Sequence, residues 1–521
     1  MAYHTVLYLS LFLPALLLLY QLAPRRYRWA VLLGGSYGFS YLICGWLTLY
    51  LAGTAVLVHY LGIWMELLRY SRQDGEKGQE RNRKKQEKRI LLLGVGILLA
   101  ILLSRKYYAF LGQNLNVLLE ALGQLPLFPP KDLLLPIGIS FYTLMAVGYL
   151  ADVYWGRIPA ERHLGYLALY LGYFPQIMEG PICRYSDTAA QLRQGGDLTG
   201  ENLAAGGIRI FWGLFKKIVI ADRLNVLAGE LFGTETSYSG ALILAAAAAY
   251  TIQLYMEFSG CMDLVLGSSR MFGIALPENF RQPFAARTVA DFWRRWHITL
   301  GVWLKTYIFY PASTSCLAKK WNRFGKEHLT LYWTQLGMAA IALFPVWMIN
   351  GLWHGPRWSY VFYGMYYFTL IFLGIAVEPL RMKLLMVLGL KEGAWYYRYL
   401  QHLKMWVIIL TGELFFRAEG LAQGMKMFAR LFVDFDLSKL WDGSLLNLGL
   451  GKGDFCVVFL GCLVVAFVGH GRERGVLSFK KLQGFPLPFR WSLYYGLILS
   501  VILLGAYGEG YQVVDLIYAG F

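Results

Sequence analysis

The chain has 521 residues, 57% of them hydrophobic and only 16% charged, against roughly 25% charged in ordinary soluble domains. With a mean hydropathy of +0.45, that composition excludes a string of soluble domains. It leaves a polytopic membrane protein, most simply one membrane domain over residues 1–521. The net charge of +17 points to the bilayer and not to nucleic acid, because the Lys and Arg residues sit in short stretches between apolar spans, the bias of cytoplasmic loops.

Residues 5–22 form the first apolar run. No basic residue precedes it and no small-residue cleavage site follows, so it is expected to stay as an anchor. Arg25, Arg26 and Arg28 come next, then apolar runs at 30–44 and 46–68. Residues 69–89 hold nine Lys/Arg and four Asp/Glu and are expected to be a solvated basic cytoplasmic loop. One span before the first basic cluster and three before the second place the N-terminus outside.

Further apolar runs lie near 90–104, 133–153, 164–178, 206–221, 238–256, 333–349, 358–377, 403–416, 454–469 and 491–507. Arg472, Arg474, Lys480 and Lys481 mark a cytoplasmic loop before the last run, which leaves the C-terminus outside as well. Two outside ends require an even number of crossings, so at least one of the thirteen candidates must be re-entrant or interfacial. About ten to twelve true spans are expected. Neither an internal repeat nor a β-barrel alternation is visible, so the expected fold is an all-α polytopic membrane protein.

The six cysteines show no CxxC and no zinc-type spacing, and the eight histidines include no pair three or four residues apart. No metal site is expected. Walker and dinucleotide-binding glycine patterns are absent too.

Four stretches carry candidate chemistry. In Asn350-Gly-Leu-Trp-His354-Gly-Pro-Arg-Trp358, the glycines and proline are poor helix residues, so a helix arriving from Trp333 should break beside His354. Irregular backbone at membrane depth needs protein or a water-filled cavity to satisfy it. An imidazole there is a functional candidate because polar groups in lipid are costly. In 291–311, Asp291 is the expected N-cap of one helix that stops at Pro311. That helix would put Arg294 and Lys305 on one face and His297, Leu300, Gly301, Leu304 and Ile308 on another, with Trp and Tyr rings suited to a membrane interface. In 174–185, a Pro/Gly-interrupted turn carries Glu179 and Arg184, which either pair or leave Arg184 for an anionic group. In 257–263, two acids lie near Ser259. The GxSxG elbow of a serine nucleophile is missing, and Asp263 is expected to tie down a helix end.

Taken together, the chain resembles the membrane-bound O-acyltransferase family, in its bacterial polysaccharide-modifying branch. The resemblance rests on Leu135-Pro-Ile-Gly-Ile-Ser-Phe-Tyr-Thr143, Tyr149-Leu-Ala-Asp-Val-Tyr-Trp-Gly156, Glu179-Gly-Pro-Ile-Cys-Arg-Tyr185, Gly213-Leu-Phe-Lys-Lys-Ile-Val-Ile-Ala-Asp222, residues 258–273, Pro277-Glu-Asn-Phe280, residues 291–311 and Gly351-Leu-Trp-His-Gly355. These stretches stand in the family's order over about 135–365. The resemblance implies a ring of transmembrane helices around a central channel, with re-entrant or interfacial helices. It makes His354 the match to the family's catalytic histidine and His297 the match to the accompanying histidine of this branch. It also implies an acyl group, acetyl first, moved from a cytoplasmic thioester (acetyl-CoA, or an acyl carrier protein) to hydroxyls of an extracytoplasmic polysaccharide, with an extracytoplasmic esterase-like acyltransferase as partner. The alginate O-acetyltransferases and the D-alanyl transfer protein of teichoic acid are the nearest kinds.

On this reading His354 takes the proton of the acceptor hydroxyl as it attacks the thioester carbonyl. His297, or backbone amides freed beside Gly351 and Pro356, would stabilise the oxyanion. Arg184, Arg294, Glu179 and Asn350 are the weaker substrate-binding candidates. D-alanyl transfer is the alternative within this class. A transporter or flippase for a lipid-linked glycan is the alternative from another class, since broken helices at the midplane suit it too.

Overall fold

The computed structural model describes residues 2–70, 77–129, 133–233, 238–477 and 479–507, and every element of three or more residues among them is a helix. Six helical stretches are long and apolar enough to cross a membrane: Arg25–Tyr70, Gly240–Met271, Leu331–His354, Trp358–Ala376, Lys452–Glu473 and Leu487–Leu504. A seventh is gained if the bent pair Glu80–Lys106 and Tyr108–Ala121 counts as one span. That is fewer than the apolar runs suggest, because Arg25–Tyr70 takes in two of the runs and several others form helices that are too short. Ile139–Tyr154 has 16 residues and Leu164–Gly172 has 9; at about 1.5 Å per residue neither reaches across a hydrocarbon core of about 30 Å.

The chain falls into two compact units, and the helix Gly240–Met271 contributes residues to both. In the first unit, residues up to 210 with 261–277, the helices Thr48–Tyr70, Lys77–Lys106 and Ile139–Tyr154 pack on one another. The expected basic loop is in large part helix, since Lys77–Lys106 takes in residues 77–89 and Arg69 lies in the last turn of the preceding one. Residues 71–76 of that expected loop lie outside the described residues. Arg69 is not solvated either: its guanidinium donates to Glu87 at 3.0 Å and to the Val153 and Tyr154 carbonyls at 3.0 and 2.9 Å. Such a charge holds a helix end to its neighbours. An aromatic cluster of Tyr3, Tyr8, Phe39 and Phe174 fills the interior of this unit, and the Tyr8 hydroxyl donates to Ser268 at 2.9 Å.

The helix through Asp263 does not end there. It runs on to Met271, with Asp263 paired to Arg209 at 2.9 Å. In the second unit the same helix carries Glu257, which takes an ion pair from the buried Lys217 at 3.2 Å, while Asp222 takes another at 2.7 Å. The apolar run 206–221 contains both Lys216 and Lys217, and the structure buries the two, Lys216 donating to Ser259 at 3.0 Å, within a π-helical turn, Phe215–Ala221.

The second unit, residues 211–260 with 278 onward, holds the hairpin of Leu331–His354 and Trp358–Ala376. The first of these ends at His354, where the sequence places the break. Gly351 is inside the helix, and its use is steric. A Cβ there would run into the Tyr360 carbonyl oxygen, and one on Gly364 into the Trp347 carbonyl oxygen, so the two glycines let the helix backbones touch. Gly351→Ala should lower the thermal unfolding midpoint of the detergent-solubilised protein by the equivalent of about 1–3 kcal/mol of overpacking. Gly53→Ala, where the new methyl meets open space within the helix Thr48–Tyr70, should not lower it. Equal midpoints for the two variants would contradict the close approach.

Candidate active site

Residues 291–311 do not form one helix. Thr288 is the N-cap, its side chain accepting from the Asp291 amide at 3.1 Å, and the helix Val289–Trp293 is short. The chain then turns through His297, whose φ of 45° is left-handed, and resumes as Ile298–Leu304, a π-helical turn Lys305–Phe309, and Tyr310–Ser313. Pro311 sits in the first turn of that last helix and does not end it. The cause of the break is a crossing of two chain segments. Arg281 donates its backbone N–H to the Arg295 carbonyl at 2.9 Å, and Ile298 donates to the Asn279 carbonyl at 3.0 Å. Left-handed backbone costs a non-glycine residue roughly 1–2 kcal/mol, so the surroundings must enforce it.

Asn279 supplies that enforcement. Its Oδ1 accepts from the Thr299 amide at 3.0 Å and from the Thr299 hydroxyl at 2.9 Å, and lies 3.2 Å from His297 Nδ1. The His297 ring is buried, edge-on to Phe258 at 4.9 Å and to Trp353 at 5.4 Å between centroids. Burial pushes its imidazole down to about 3, so the ring is neutral at physiological pH.

His354 ends its helix and is buried as well. Trp353 lies 5.1 Å from it, so one indole contacts both imidazoles. Phe416 and Tyr363 close on the same ring at 5.0 and 5.8 Å. The Tyr363 hydroxyl donates to the buried Glu413 at 3.2 Å. Sequence reading passed over Glu413; its signal was a lone acid in the apolar run 403–416.

A cavity of about 400 Å³ opens beside these groups, with His297, Asn350, Arg294, Lys305, Trp293 and Trp347 on its wall. His354 is not among the residues that line it. Asn350 is buried, and its amide Nδ2 has no hydrogen-bond partner among the described residues. That is a donor left for a ligand. A second cavity, of about 1160 Å³, shares Ala290, Arg294 and Ile371 with the first. Its wall carries Arg287, Arg294, Arg295, Arg381 and Lys404, together with the acids Asp291, Glu378 and Glu392. Arg294 stands at the join, its side chain 73% exposed and 3.6 Å from Asp291.

Four of the sequence-predicted residues, His354, His297, Asn350 and Arg294, thus come together in the second unit. Glu179 and Arg184 belong to the first. Arg184 binds Asp187 through two nitrogens at 3.2 and 3.1 Å and caps the helix Tyr185–Gln194, a structural duty; Glu179 is fully buried. Ser259 receives a hydrogen bond from the Lys216 ammonium at 3.0 Å, and a donating ammonium is not the base a serine nucleophile needs.

Comparison with known proteins adds to this geometry. The model of the membrane-bound O-acyltransferase family matches residues 162–325, a span that contains His297. A Pseudomonas aeruginosa protein named "Probable alginate O-acetylase" is 33% identical over 476 residues, covering 90% of this chain and 81% of that protein. The peptidoglycan O-acetyltransferase of Helicobacter pylori is 33% identical over 301 residues, 53% of either chain. The teichoic acid D-alanyltransferase of Bacillus subtilis is 29% identical over 254 residues, 47% of this chain and 60% of that protein.

The neutral, buried His297 has a consequence for acid stability. Its folded pKa is depressed, so below the ordinary histidine value of about 6.5 the unfolded chain binds a proton that the folded chain refuses. Stability from this site is complete above that pH and is lost as pH falls toward about 3. His297→Asn should flatten the fall of the unfolding midpoint between about pH 6.5 and 4. A variant that loses stability with acid as steeply as the wild type would show that the folded ring takes up protons freely.

Proposed function

The chain belongs to the membrane-bound O-acyltransferase family and is an O-acyltransferase, and we propose that the pocket beside His297 and His354 moves an acetyl group from a thioester donor to hydroxyls of an extracytoplasmic polysaccharide. The single observation that carries this reading is that one indole, Trp353, contacts both imidazoles while His297 and the unsatisfied amide of Asn350 share a cavity wall. Acyl transfer to a hydroxyl needs a group to take the hydroxyl proton and a donor against the oxyanion that forms on the thioester carbonyl. Two histidines and an amide supply both kinds.

The donor reading rests on charge. Five cationic side chains line the wide cavity, and Arg294 is common to it and to the narrow one. A phosphate-bearing thioester carrier such as acetyl-CoA suits the wide cavity, with the acyl group directed at the narrow one. Acetyl is favoured over D-alanyl because an alginate O-acetylase matches 90% of the chain, while a D-alanyltransferase matches 47% of it. The basic clusters at 25–28 and 472–474 support a cytoplasmic side for those loops and outside positions for both ends, in a bacterial cell membrane. An extracytoplasmic esterase-like acyltransferase is the partner this arrangement calls for if acetyl groups are handed on outside.

The test is the ester-bound acetate on envelope polysaccharide from cells carrying the full chain. His354→Ala and His297→Ala should each lower it by about 10²–10⁴-fold at equal membrane abundance, with polymer export unchanged. Acetate near wild-type in both variants would end the proposal. Lost export in place of lost acetate would favour a transporter, and ester-bound D-alanine would favour the other acyl group. Asn350→Ala should lower transfer by about 10²–10³-fold in the same assay; wild-type acetate would remove Asn350 from the site.

A further inference from the structure

We propose that the helix Cys316–His328 is a seat for anionic phospholipid headgroups, its basic side binding their phosphates while an apolar flank enters the acyl boundary. None of its residues lines either cavity, and the inference stands apart from the acyl-transfer reading. Ser315 caps the helix, its side chain accepting from the Ala318 amide at 3.2 Å. By helical phase its residues divide into three sides. Ala318 and Gly325 share one and are buried. Lys319, Arg323 and Lys326 share another, with Lys320 next to them, and all four are exposed. Leu317 and Phe324 form the third and are exposed too, with the His328 ring stacked on Phe324 at 4.6 Å.

The buried side is held closely. Trp321 Nε1 donates to the Thr334 carbonyl at 3.0 Å. A Cβ on Gly325 would run into the Thr334 side chain, and one on Gly337 into the Trp321 ring. The helix is thereby pressed against the first turns of Leu331–His354, and its basic side is kept outward. Buried charge elsewhere in this unit is matched, as Lys217 is by Glu257 and Asp222. Here none of the four cations makes an ion pair among the described residues, and the helix holds a single acid, Glu327. The surface therefore calls for anions from outside the chain.

The third side says which anions. A free phosphate needs the cations alone and would leave Leu317 and Phe324 in water beside them. Leu329, Leu331 and Trp333 carry the exposed apolar surface on into the membrane-spanning helix, where acyl chains cover it. Basic residues next to an apolar flank, at the start of a span and with a Trp close by, are the composition of a headgroup boundary. Lysine stems cover apolar surface while their ammonium groups reach the phosphates. The basic excess assigns the cytoplasmic leaflet, where each added Lys or Arg strengthens attachment to anionic lipid about fivefold.

The test uses the full chain in phosphatidylcholine nanodiscs. A dye is attached to the exposed Cys316 at the start of the helix, with the other exposed cysteine, Cys456, changed to serine. Energy transfer to trace acyl-labelled phosphatidylglycerol or phosphatidylcholine reads which lipid gathers at this helix. Phosphatidylglycerol should be enriched there about tenfold or more over phosphatidylcholine. Lys319→Gln, Lys320→Gln, Arg323→Gln and Lys326→Gln combined should abolish the preference, whereas Lys319→Arg, Lys320→Arg, Arg323→Lys and Lys326→Arg combined should keep it. Should the combined glutamine variant fail to fold, Lys319→Gln with Lys326→Gln takes its place and should lower the enrichment about fivefold or more. Equal transfer to the two lipids in the wild type overturns the proposal, and so does an undiminished preference in the glutamine variants. Displacement of the labelled phosphatidylglycerol by coenzyme A, inorganic phosphate or poly-glutamate, at concentrations that leave the ionic strength unchanged, overturns it too. The surface would then belong to a free anion or an acidic protein and not to lipid.

Discussion

The amide oxygen of Asn279 accepts from both donors of Thr299 and from the His297 ring, and the local course of the chain depends on it. A helix that began near Val289 would otherwise run on through His297 and point its imidazole according to helical phase alone. The crossing at 279–282 stops it after Trp293 and turns the backbone left-handed for one residue. The helix restarts with Thr299 facing the same oxygen. One side chain thereby sets backbone and ring orientation together.

The frame around this crossing tolerates charge only in matched sets. Lys217 is buried against Glu257 and Asp222, and Lys216 donates to Ser259. Within the other unit Arg209 neutralises Asp263 on the same long helix. Removing one member of such a set leaves a buried charge at a cost of about 3–5 kcal/mol, so these residues constrain one another wherever they occur in an apolar helix. Phe258, the ring against which His297 packs, sits between Glu257 and Ser259. The ion pairs therefore fix the turn that supports the imidazole.

The proposed function rests on two adjoining cavities of different character. The wide one is charged, and the narrow one is mostly apolar with a buried amide donor and an imidazole on its wall. That succession suits a substrate with a phosphate-rich handle and a small reactive end, because the handle stays among exchangeable ions while the reacting carbonyl leaves them behind. In the narrow cavity each remaining polar group acts in a lower dielectric and counts for more.

Composition determined that the chain is a membrane protein, and long apolar runs without β-barrel alternation determined that its spans are helices. The order of motifs determined its family, and Gly355 and Pro356 determined that the helix ends at His354. Local sequence also brought out His297, Asn350 and Arg294, because polar groups in an apolar stretch are conspicuous. It failed where distant parts of the chain decide the outcome. Helical periodicity could not foresee the break at 294–297, which is imposed by backbone hydrogen bonds from a segment about 15 residues earlier. The basic stretch at 69–89 resembles solvent-exposed loop until Glu87 and two carbonyls are seen to claim Arg69. Gly351 reads as a helix breaker until Gly364 is placed against it. Hydrophobic pattern fixes which residues leave water, but partners remote in sequence choose the backbone torsion, the ring orientation and the closeness of two helices. Only the tertiary structure could decide those.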